Sequence, residues 1–122
     1  MKGLLINKVN DIVIADKVKI YKDFFHKTRG LMFSRPLRKG EAIILVADNE
    51  GIMETTIHML FVFFSIDVVW LNEKKEVVDK KKGIKMFSPL IVPSKPAKYV
   101  VELKKGASKH TFIGDKLEFE EK

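Results

Sequence analysis

Residues 57–71, IHMLFVFFSIDVVWL, form the longest apolar stretch of the chain, and any fold it adopts has to cover them. The stretch holds His58, Ser65 and Asp67 and is shorter than the roughly 20 residues a helix needs to cross a bilayer, so no membrane span is expected. It is rich in Val, Ile, Phe and Trp and is followed by NEKKE, which reads as two buried strands meeting near Ser65. An unpaired charge inside such a strand would cost several kcal/mol, so Asp67 has to meet a cation, backbone donors or water.

The rest of the chain supplies further short strands around this stretch. DIVIAD (11–16) and KVKIY (17–21) are β-branched runs. KDFFHKTRG (22–30) is the one helical pattern: Phe24, Phe25, Thr28 and Leu31 recur at three- and four-residue intervals, and Gly30 suits a helix stop. SRPLRKG reads as a surface connection before the apolar strand EAIILVAD, and NEGIMETT as a turn. KKEVVDKKKGIKMF has the Lys content of an exposed strand, whereas Pro89, Pro93 and Pro96 withhold ladder donors and imply an irregular excursion. YVVELKKG and KLEFEE supply the last strands. The expected class is mainly β (α+β), a small β-barrel or two-layer β fold of about eight or nine short strands with one short helix. A length of 122 residues suits a single domain, 1–122.

Composition narrows the chemistry. Cysteine is absent, which excludes disulfides, thiolate catalysis and cysteine-ligated metal clusters. Only three bulky apolar residues stand between Lys2 and Asn7, too few for a signal-peptide core, so a cytoplasmic location is expected. Lysine dominates the basic residues and glutamine is missing, a bias of thermophile proteins. The net charge of +7 is uneven, because residues 74–109 carry 11 lysines against Glu76, Asp79 and Glu102.

Three segments in order, TRGLMFSRPL, IHMLFVFFSIDVVWLN and YVVELKKG…IGD, resemble the family catalogued as domain of unknown function 192 over residues 13–117, in its archaeal form. The positions that carry the resemblance are Arg29, Gly30, Leu31, Met32, His58, Asp67, Gly106, Gly114 and Asp115. It implies a mostly β fold of one domain and no settled activity. Phe63 and Ser65 depart from the family pattern, which has a polar or basic residue and a proline there.

Arg29, His58 and Asp67 are the candidate ligand-binding residues. Arg29 before Gly30 suits a helix C-cap or an anion-binding corner, His58 a structural imidazole or an acid–base group, and Asp67 a satisfied structural carboxylate or a catalytic one. No G-x-S-x-G, H-E-x-x-H, Walker or G-x-G-x-x-G motif is present, so no catalytic residue, metal or cofactor is assigned. The favoured function is a binding module for a small molecule or peptide in a cleft near Arg29, His58 and Asp67. One alternative is nucleic-acid binding through the Lys-rich face, with Lys80, Lys81, Lys82 and Lys85 on phosphates; against it stand the scarcity of Arg and the absence of an aromatic row. The other is a hydrolase or isomerase with Asp67 as acid or base.

Overall fold

The computed structural model describes residues 3–23, 31–32 and 34–121. Among them are eight strands: β1 (Leu5–Asn7), β2 (Ile12–Ala15), β3 (Lys17–Tyr21), β4 (Glu41–Gly51), β5 (Ile66–Leu71), β6 (Val77–Ile84), β7 (Ala97–Lys104) and β8 (Leu117–Glu118), with one 3-10 turn at Met53–Thr55. They form two sheets, ordered β2-β1-β8 and β3-β4-β7-β5-β6. Of the two expected architectures the two-layer form is realised, and among the described residues the strands form no closed barrel. All but Lys22 and Asp23 of the helix expected over residues 22–30 lies outside the described residues.

The central strands are apolar at nearly every position because the larger sheet is covered on both sides. In β4, Ala42, Ile44 and Val46 join Val69, Leu71, Val101 and Leu103 in a core shared with Leu5, Ala15 and Leu117 of the small sheet. The alternate residues Ile43 and Leu45 join Ile66, Val68, Trp70 and Val100 in a second core, closed from outside by Leu31, Leu37, Met59, Val62 and Ile91. The sheet therefore has a first face under the small sheet and a second face under loops. The chain passes between sheets at Asp16, where the N–H groups of Asp16 and Lys17 both donate to the Gly40 carbonyl at 2.9 and 2.8 Å. β3 then lies parallel to β4 as an edge strand, the other ladders of this sheet being antiparallel.

The stretch 57–71 is divided differently from the two strands its composition suggests. Only Ile66–Leu71 is a strand, and both its edges are occupied, by β6 and β7. No edge remains for a second strand, so residues 57–65 fold back over the second face. There they make a single bridge, Ile57 with Ile91, and bury Met59 and Val62. Trp70 is fully buried beneath this cover, and its Nε1–H donates to the Thr55 carbonyl at 2.8 Å, pinning the 3-10 turn to the sheet.

Candidate functional site

Asp67 is fully buried, in phase with Val69 and Leu71 on the first face of β5. Its carboxylate accepts four hydrogen bonds. Gly83 N–H donates to Oδ1 at 2.8 Å; Gly106 N–H at 3.1 Å, Ser108 N–H at 3.2 Å and Ser108 Oγ–H at 2.6 Å donate to Oδ2. The backbone explains this convergence. The β5–β6 register slips between Ile66 and Val68, so a bulge containing Gly83 faces Asp67, and Gly83 at φ 58 turns its N–H inward. Gly106, at φ 90, is the third residue of a turn closed by Ala107 N–H on the Lys104 carbonyl at 2.9 Å. Burial pushes the Asp67 carboxyl up, but the Ser108 hydroxyl and the three N–H groups outweigh it and hold the pKa below its ordinary value.

The same loop is held from its other side. Lys80 Nζ donates to the carbonyls of Ser108 at 2.6 Å and Thr111 at 2.7 Å and lies 5.2 Å from the Phe112 ring centroid. Asp115 Oδ2 accepts from Asn7 Nδ2 at 2.8 Å and from Phe112 N–H at 2.9 Å, while Gly114 N–H donates to the Val77 carbonyl at 2.8 Å. Asp67, Gly106, Gly114 and Asp115 thus act together to fasten residues 105–115 onto the sheets.

The three candidate ligand-binding residues do not meet among the described residues. Arg29 lies outside them. His58, half-buried, belongs to the cover of the second face, where its Nδ1 accepts from Leu60 N–H at 3.2 Å, whereas Asp67 belongs to the first face. Of the four lysines, Lys80 is bound as described and Lys81 Nζ donates to the Val92 carbonyl at 2.8 Å over the Trp70 ring. Lys82 and Lys85 are exposed.

Two features escape the sequence reading. The first is Glu102, buried to 4% exposure in β7, opposite Ile43 of β4 and Val68 of β5 and hence on the second face. Its Oε1 has no hydrogen-bond partner, and burial pushes its pKa up to about 7. The available signal was its position as the one acid inside the apolar run Tyr99–Leu103, the pattern that marks Asp67.

The second is a cleft of about 540 Å³ along the β3 edge. Val18, Leu31, Leu37 and Ile43 give it an apolar lining, and Lys17, Lys19, Ser34 and Arg35 bring polar groups to it. Lys19 stands opposite Ile43, one strand away from Glu102. Arg35 makes a bidentate pair with Glu41, Nη1 to Oε1 at 2.9 Å and Nη2 to Oε2 at 2.7 Å. That pair, with Arg38 N–H on the same carboxylate, lowers the Glu41 pKa to about 2. Among the described residues no cluster of three His, Asp or Glu side chains could hold a metal ion, and no helix is long and apolar enough to cross a membrane.

The chain is 34% identical over 119 residues to a UPF0127 protein of Thermococcus sibiricus, covering 96% of this chain and 75% of that one. It is 35% identical over 121 residues to a UPF0127 protein of Pyrococcus abyssi, covering 96% and 97%. A solved protein of unknown function from Novosphingobium aromaticivorans superposes with a TM-score of 0.82 at 17% identity, over 95% of this chain and 82% of that one. Another, from Sinorhizobium meliloti and described as a transcription-regulator candidate, gives 0.79 at 20% identity, over 94% and 89%. Identities this low carry the fold alone. The profile of the DUF192 family, described as Uncharacterized ACR, COG1430, matches residues 5–119, and the chain belongs to that family.

Proposed function

We propose that this protein is a binding module whose ligand is a small organic anion with an apolar body, held in the cleft along β3. The cleft itself carries the reading. Its volume, about 540 Å³, falls in the range of small-molecule sites, and it combines an aliphatic lining with a few placed polar groups. Lys17 and Lys19 project from the same side of β3; Lys17 is paired with Asp16 at 3.6 Å, and Glu41, the one carboxylate among the described lining residues, is engaged by Arg35. Among the described lining residues Lys19 is the cation with no carboxylate paired to it, and it supplies the positive charge that would meet an anion.

Catalysis by Asp67 has less support, because four hydrogen bonds saturate its carboxylate and no part of it is exposed. The nucleic-acid reading loses two of its four contacts to internal bonds, since the Lys80 and Lys81 ammonium groups already donate to carbonyls.

Calorimetric titration with hexanoate, hexanol and hexylamine tests the charge preference. Hexanoate is expected to bind tightest, and Lys19→Met to weaken hexanoate about tenfold while leaving hexanol unchanged, since a charge-assisted hydrogen bond contributes about 1.5 kcal/mol or more. Equal affinity for all three, or hexylamine binding best, would contradict the proposal. Native mass spectrometry of protein from its own source would identify the natural occupant.

A further inference from the structure

The loops that cover the second face have an outer side as apolar as their inner side. Residues 57–65 and 86–92 are zipped together: Met59 N–H donates to the Ser88 carbonyl at 2.7 Å, Phe87 N–H to the Met59 carbonyl at 3.0 Å, and Ile57 and Ile91 exchange bonds of 3.0 and 2.8 Å. Met59, Val62 and Ile91 point inward and are buried. On the outer side Leu60, Phe61, Phe63, Met86, Phe87, Leu90 and Val92 are all exposed, from 39% for Val92 to 67% for Leu90. Phe63 and Phe87 join the two loops by an edge-to-face contact at 5.1 Å.

The backbone places these rings at some cost. Phe61 and Phe87 have φ of 59 and 64, a left-handed conformation that bulky side chains rarely adopt and that persists only when the surroundings enforce it. A soluble surface gains nothing from strain that presents phenyl rings to water.

Charge selects the occupant. No acidic residue occurs in 55–66 or in 80–98, and the second segment contains six lysines, of which Lys85 is exposed and adjoins Met86 in the chain. A second copy docked on the same patch would bring these cations against their own kind. An apolar patch with lysines whose stems can lie along it and whose ammonium groups reach outward matches a lipid interface with anionic headgroups.

We infer that the paired loops 57–65 and 86–92 are a peripheral docking surface for an anionic lipid bilayer. The tips of Phe87 and Leu90 enter the headgroup boundary while Lys85 engages phosphate. This surface is distinct from the cleft along β3, and the test below does not depend on any ligand there.

Flotation with vesicles of phosphatidylcholine alone, or of phosphatidylcholine and phosphatidylglycerol in equal parts, tests it on the full chain. The wild type should float with the anionic vesicles only, and less so at high salt. Phe87→Asn with Leu90→Ser should reduce partitioning at least tenfold; Asn tolerates the left-handed backbone, and an unchanged melting curve would show that the fold is kept. Lys85→Gln should reduce it by about fivefold. Absence of flotation, equal flotation with neutral vesicles, or variants that float like the wild type would each overturn the inference. Binding to poly-glutamate without binding to vesicles would also overturn it, in favour of an acidic protein partner, as would a dimer that both variants abolish.

Discussion

Asp67 and Glu102 are both buried carboxylates on neighbouring strands, with Asp67 opposite Leu103 across the ladder, yet they are held in opposite ways. Asp67 collects four donors and its pKa falls, whereas Glu102 has none for Oε1 and its pKa rises to about 7. Burial alone would push both up; the difference is made by donors. Alternation along the ladder explains where the donors come from. Asp67 points to the first face at its bulged end, where two glycines in left-handed conformations and Ser108 turn their N–H groups toward it. Glu102 points to the second face, between Ile43 and Val68, whose side chains donate nothing. One acid fastens the fold, and the other is a buried acid that burial holds to its proton up to about pH 7.

The largest break in this comparison is Asp67→Asn. The substitution keeps the shape but turns an acceptor-only group into one that presents an N–H₂ to the N–H groups of Gly106 and Ser108 or of Gly83. Stability should fall by about 3–5 kcal/mol, in the range for disrupting a buried charged network. Denaturant unfolding at neutral pH measures it, and a loss under 1 kcal/mol would mean that the donors find other partners. Glu102→Gln should do the reverse. Between an unfolded value near 4.5 and the folded value near 7, the folded chain keeps a proton that the unfolded chain has released, so wild-type stability declines as pH rises across that window. The decline attributable to Glu102 is roughly 3 kcal/mol at about 1.4 kcal/mol per pH unit, and the Gln variant should lack it. Parallel pH profiles for the two proteins would show that Glu102 is charged in the fold and has a partner.

This contrast was half legible in the sequence. Asp67 stood out because one acid in a long apolar run has to be satisfied, and that inference needs no knowledge of what satisfies it. Glu102 carries the same signal in a shorter run, bordered by Lys104 and Lys105, where it counts as one more surface charge. The strands β2, β3, β6 and β7 were readable from local composition, and the relatives from Thermococcus and Pyrococcus agree with the archaeal form of the family and with the thermophile bias. Composition predicts a strand over 57–65 because it reports burial and not ladder partners: the apolar side chains there roof Trp70 and Ile66, while both edges of β5 are filled, by the following strand β6 and by β7. The cleft along β3 had no sequence signal, since Lys17, Lys19 and Arg35 meet there only because β3 runs parallel to β4 at the sheet edge.

The smallest of these effects, and the sharpest test of the comparison, comes from moving Asp67 part of the way toward the condition of Glu102. Ser108→Ala removes the 2.6 Å hydroxyl bond and leaves the N–H groups of Gly83, Gly106 and Ser108 in place. Loss of one charge-assisted hydrogen bond should cost about 2 kcal/mol at neutral pH. The sign of the pH effect follows from the direction of the shift. A carboxyl whose folded pKa is depressed stabilises the fold above its unfolded value near 3.8, and that contribution is lost as pH falls through the folded pKa. With the hydroxyl gone, desolvation is opposed by three donors instead of four, so the Asp67 pKa should rise and acid unfolding should begin at a higher pH than in the wild type. If Ser108→Ala lowers stability equally at every pH, the hydroxyl fills space beside Asp67 without tuning its charge, and the account of why the two carboxylates differ would rest on the backbone donors alone.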